Sequence, residues 1–105
     1  IGHLANSYEE LNRYGDALPL REEGLQLARQ QYPPGHLKIA YAMEGLVFTY
    51  SGLARFAEAM ALSREGLAIL RAAYPSGHPD IAMAEVSVHQ IRMAMLMMRH
   101  RSRRR

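Results

Sequence analysis

The sequence predicts an all-α chain, an α-solenoid of repeated helix pairs, and three observations carry that prediction. Shifted against itself by 42 residues, the stretch 1–42 aligns with 43–84 without a gap, at 17 identities. Within a unit, apolar residues recur at spacings of three and four, the period of a helix that buries one face. Gly and Pro sit at discrete positions, several of them at the unit boundary, and form no low-complexity tract. With 105 residues and 49% hydrophobic content, the chain is long enough for one domain with a modest core.

The identities include Leu4/Leu46, Tyr8/Tyr50, Leu11/Leu53, Arg13/Arg55 and Ala17/Ala59, then Leu25/Leu67, Tyr32/Tyr74, Pro33/Pro75, Gly35/Gly77 and His36/His78. They divide the chain into a first unit over about 1–36, a second over 37–78, a closing helix over 79–98 and a basic tail over 99–105 that is expected to be disordered. That makes about two and a half units and about five helices. Ile1 reads as the middle of a helix, so the chain is expected to be a piece of something longer. In the second unit Ile39, Met43, Leu46, Val47, Tyr50 and Leu53 mark the first helix. A break from Ser51-Gly52 to Arg55 separates it from a second helix marked by Phe56, Ala59, Met60, Ser63, Gly66, Leu67 and Leu70. Tyr74-Pro75-Ser76-Gly77 stops that helix, and Pro79 suits the first turn of the next, where its missing N–H would have no partner anyway. Asp80 favours the same helix N-terminus electrostatically. The closing helix keeps only the apolar pattern, with Val88 and Met95 in the places of Leu46 and Leu53. Gly24 and Gly66 fall inside helices, where Gly costs about 1 kcal/mol relative to Ala, so a close helix approach is expected at both.

The order of small residue, Leu, aromatic and Ala resembles the tetratricopeptide repeat. The first unit carries it in Leu4, Ala5, Tyr8, Tyr14, Gly15, Asp16, Ala17, Gly24 and Leu25, and the second in Leu46, Val47, Tyr50, Phe56, Glu58, Ala59, Gly66 and Leu67. The 42-residue period and the connector Tyr74-Pro75-Ser76-Gly77-His78-Pro79-Asp80-Ile81-Ala82 are similar to the kinesin light chain type of that repeat. The first connector departs from it, with Leu37-Lys38 for Pro79-Asp80, and in the third unit Arg92 replaces the aromatic. The resemblance implies a right-handed superhelix whose concave groove receives a peptide or helix, in a scaffold or adaptor role. By resemblance the groove positions are Asn6, Glu9 and Glu10, with Gly2, in the first unit. Tyr41, Glu44, Phe48 and Ser51, with Gly52, follow in the second, and Gln90, with Met83, Val86 and Met93, in the third. Tyr41 and Phe48 lie outside the core stripe, where aromatics supply binding area at low entropic cost. Asn6 matches one member of the carboxylate clamp of chaperone-binding relatives, but Gly2 and Gly45 stand where other members would be. Glu9, Glu10 and Glu44 suggest a mildly acidic groove instead.

Composition narrows the remaining readings. There is no Cys, hence no disulfide, thiol nucleophile or thiolate zinc site. The five His form no spacing that gives a ligand set, and no phosphate loop or nucleophile motif occurs. No enzyme activity, metal or cofactor is expected. The longest apolar run, Met93-Ala94-Met95-Leu96-Met97-Met98, is far short of the roughly 20 residues of a membrane span. Without a secretory signal the expected setting is intracellular and cytoplasmic. The net charge of +3 belongs to the tail: without its five Arg, eight basic residues face ten acidic ones. An Arg-rich end binds phosphates and anionic surfaces, so nucleic acid is the rival partner to a protein or peptide. Met93, Met95, Met97 and Met98 make one end apolar on every side, which points to self-association there, since Met adapts to many surfaces.

Overall fold

The computed structural model describes residues 13–104, and the side chains of residues 13–100. Four helices follow one another: α1 (Tyr14–Gln31), α2 (Leu37–Gly52), α3 (Phe56–Ala73) and α4 (Pro79–Arg104). The sequence predicts about five helices; the described residues hold four, and the one expected first falls on residues 1–12, outside them. Extensive packing joins α1 to α2, α2 to α3 and α3 to α4, each helix on its successor.

The connection from α2 to α3 is a tight left-handed stop. Ala54 takes φ +60°, and the Arg55 N–H donates to the Tyr50 carbonyl at 2.8 Å, closing the last turn of α2. That conformation is usually left to Gly, and Ala accepts it at some steric cost. Arg55 then pairs with Glu58 in the first turn of α3, through contacts of 2.7 and 2.8 Å.

The connectors between units are built alike. In the first, the His36 N–H donates to the Pro33 carbonyl, and Gly35 holds φ +82° in the third position of the turn. In the second, His78 donates to Pro75, and Gly77 holds φ +89°. Only Gly takes this conformation without strain. The ring of Tyr32 stacks on His36 at 4.5 Å, and Tyr74 stacks on His78 at 3.7 Å. Each imidazole then caps the following helix: His36 Nδ1 accepts from the Lys38 N–H at 3.0 Å, and His78 Nδ1 from the Asp80 N–H at 3.1 Å. Capping one of the open N–H groups of a helix stabilises it by about 1 kcal/mol.

The core is two clusters staggered along the array. One gathers Leu25 and Ala28 of α1, Ile39, Met43, Leu46, Val47 and Tyr50 of α2, Ala59 of α3 and Ile91 of α4. The other gathers Ala40 of α2, Leu67 and Leu70 of α3, and Ile81, Ala84 and Val88 of α4. Tyr50 also donates to Glu22 of α1 at 3.3 Å and lies under the Arg55 guanidinium at 4.7 Å.

Two expectations need correction. The basic segment does not form a separate tail after residue 98: α4 runs on to Arg104. Arg is a good helix former, no Gly or Pro interrupts it, and cations suit a helix C-terminus. Gly66, expected to be required for close approach, is not. A Cβ placed there would meet the Ala40 carbonyl at 3.7 Å and Met43 Cβ at 3.8 Å, ordinary contact distances. Gly66→Ala is therefore expected to stabilise the chain by about 0.5–1 kcal/mol through helix propensity alone. A fall in melting temperature would show that α2 and α3 are packed more tightly than this.

Candidate peptide-binding cleft

A cleft of about 470 Å³ opens across all four described helices. Its walls are Tyr14 of α1, Glu44, Val47, Phe48, Ser51 and Gly52 of α2, Phe56 and Ser63 of α3, and Ala84, Ser87, Gln90 and Ile91 of α4. Phe48 stands 56% exposed at this wall and meets the ring of Tyr14 edge-on, with centroids 5.7 Å apart. Gly52 makes that arrangement possible. A Cβ on Gly52 would come within 2.5–2.6 Å of three Tyr14 ring atoms, so the tyrosine lies against bare backbone.

The cleft brings together Glu44, Phe48, Ser51, Gly52 and Gln90, five of the expected groove positions. Asn6, Glu9 and Glu10 lie outside the described residues. Tyr41 is not brought in. Its hydroxyl is shared between Tyr74 at 2.8 Å and Asp80 Oδ2 at 2.8 Å, to which it donates, so it ties α2 to the second connector and the start of α4. Those two hydrogen bonds, Tyr74's first, hold the phenol well above its ordinary pKa. Met83 and Val86 are exposed beyond the cleft walls, as are Met93, Met95, Met97 and Met98 along the later turns of α4.

Glu44 is the charged residue of the cleft. Its Oε1 is buried and has no hydrogen-bond partner among the described residues. Burial, and then the negative charge of Asp80, push its carboxyl above the ordinary carboxylate pKa. Folding therefore penalises the charged form. The penalty is absent at acid pH, where folded and unfolded chains are both protonated, and it grows as pH rises through the folded-state value.

A second depression, of about 530 Å³, lies between α1 and α3 over Leu46 and Tyr50. It is the larger of the two, but its acids are already engaged, Glu22 by Tyr50 and Glu58 by Arg55. The unsatisfied acceptor is in the first cleft, so the first is the better candidate. Among the described residues no three His, Asp or Glu side chains come together as a metal site, and no helix is long and apolar enough to cross a membrane.

Sequence reasoning passed over Tyr14, Val47, Phe56, Ser63, Ala84, Ser87 and Ile91 as cleft residues. Ser87 and Ile91 were within reach, because Ser87 lies a helical turn before Gln90 and Ile91 a helical turn after Ser87. Tyr14 was not, since its place depends on the bare backbone at Gly52.

No curated protein and no solved structure matches the chain. The family model for the tetratricopeptide repeat matches residues 1–72, which take in α1, α2 and nearly all of α3. Members of that family generally mediate protein–protein interactions and are typically non-catalytic. With over half its length matched, this chain belongs to the tetratricopeptide repeat family.

Proposed function

We propose that the chain is a protein-interaction module, part of a right-handed solenoid of 42-residue units of the kinesin light chain-like type. It receives a peptide or helix of a partner protein in the cleft beside Phe48, in a scaffold or adaptor role. The observation that carries the reading is the half-exposed Phe48 at the wall of a cleft to which every described helix contributes. An exposed aromatic held by a neighbouring ring can bury area on binding while losing little conformational freedom. Asn6, Glu9 and Glu10 would extend the same surface.

Photo-crosslinking amino acids at Ser51 and Gln90 test it against the same probes at Gln26 and Ala61 in the second depression. A partner polypeptide crosslinked from Ser51 and Gln90, and not from Gln26 or Ala61, is the expected result. The reverse pattern would move the binding face to the other side of the array.

A second reading, self-association through α4, has one observation in its favour. Met93, Met95, Leu96, Met97 and Met98 are all substantially exposed on consecutive turns, and contiguous exposed apolar surface commonly marks an interaction site.

A further inference from the structure

Resting on that reading of the cleft, we propose what its ligand carries: a Lys or Arg side chain set on Glu44, beside an apolar side chain packed against Phe48, Val47 and Ile91. Among the described residues Glu44 is the sole acidic or basic side chain lining the cleft. Tyr14, Ser51, Ser63, Ser87 and Gln90 are neutral, and the rest of the wall is apolar or Gly. A buried acceptor without a partner costs free energy, and nearly all such groups in folded proteins find one. The charge that bears on Glu44 is that of Asp80, which has its own sign. An incoming cation would satisfy the oxygen and neutralise the charge at once. A neutral donor would do only the first. A charge-assisted bond in a part-dry cleft is also roughly twice as strong as a neutral one. The apolar half of the motif follows from the remaining walls, which are too hydrophobic for a purely polar segment.

Selection of random heptapeptides on the full chain tests this, with the winning peptide synthesised and titrated against wild type, Glu44→Gln and Phe48→Ala. The expected winners carry Lys or Arg one or two positions from an apolar residue. Their affinity falls at least tenfold on Glu44→Gln, and as much on wild type when citrulline replaces Arg or norleucine replaces Lys in the peptide. Because Glu44→Gln removes a part-buried charge that burial disfavours, it is expected to melt no lower than wild type at neutral pH, so its lost binding cannot be put down to unfolding. Winners without a basic residue, winners in which Asn, Gln or Ser takes its place, or basic winners indifferent to both Glu44→Gln and the neutral peptide overturn the cation while leaving the cleft. No winner at all, or winners indifferent to Phe48→Ala, overturn the cleft itself, and the cation with it.

Discussion

Leu70→Ala is expected to remove about 3 kcal/mol of folding stability, lowering the melting temperature by more than about 10 °C. Leu70 is 0% exposed and sits where the second cluster joins α3 to α4, among Ala40, Leu67, Ile81, Ala84 and Val88. Truncating a buried Leu loses its transfer free energy and leaves a cavity, together about 2–5 kcal/mol. The total for a domain of this size is about 5–15 kcal/mol, so the loss is a large share, and each kcal/mol moves the midpoint of a chain this short by about 4–8 °C. The damage should also be local. Helices that pack on their chain neighbours transmit stability from one to the next, much as in a linear array. Hydrogen exchange should therefore quicken in α3 and α4 more than in α1. Leu27→Ala is the control: Leu27 is on α1 and partly exposed, so a cost under about 1 kcal/mol is expected. Equal losses for the two substitutions would mean that the cluster around Leu70 is not the core it is taken for.

The second large effect is on binding. Phe48→Ala should weaken the partner peptide by tenfold or more, about 1.4 kcal/mol or beyond, while costing the fold little. Phe48 is more than half exposed, and the contact it gives up within the chain is the edge-on meeting with Tyr14, worth about 1 kcal/mol. Tyr41→Phe separates the two aromatics. It removes the hydroxyl shared by Tyr74 and Asp80 but leaves the cleft walls untouched, so peptide affinity should hold while the connector loosens. Titration of the selected peptide against folded Phe48→Ala and Tyr41→Phe settles the pair. Unchanged affinity in the first, or a tenfold loss in the second, would reverse the roles assigned here.

What was legible in the sequence, and what was not, divides along a physical line. The helix faces were readable because burial imposes the period of the helix on the apolar residues. Ile39, Met43, Leu46, Val47 and Tyr50 are all buried on α2, and Ala59, Ser63, Gly66, Leu67 and Leu70 on α3. The connector was readable as a corner, because Pro and Gly punctuate it at the same place in both units. The division of labour between Tyr41 and Phe48 was not readable. Both lie outside the core stripe of the same helix, and periodicity says only that each faces away from its own partner helix. The cleft residue depends on the edge-on Tyr14, and the structural one on a hydroxyl that arrives from Tyr74 and a carboxylate that arrives from Asp80. Such long-range pairings leave no mark on local spacing. Gly66 misled in the opposite sense: its recurrence with Gly24 suggested a steric need, yet the space beside it would take a methyl group.

The two connectors have a consequence for how such a chain can lengthen. The stacked Tyr and His, the imidazole cap and the left-handed Gly of each corner lie within a few consecutive residues. The bend is thus encoded locally and travels with the unit that carries it. A duplicated stretch of gene would bring its own hinge angle into the product, with no compensating change elsewhere. Growth by copying needs a joint that is right the first time it is repeated.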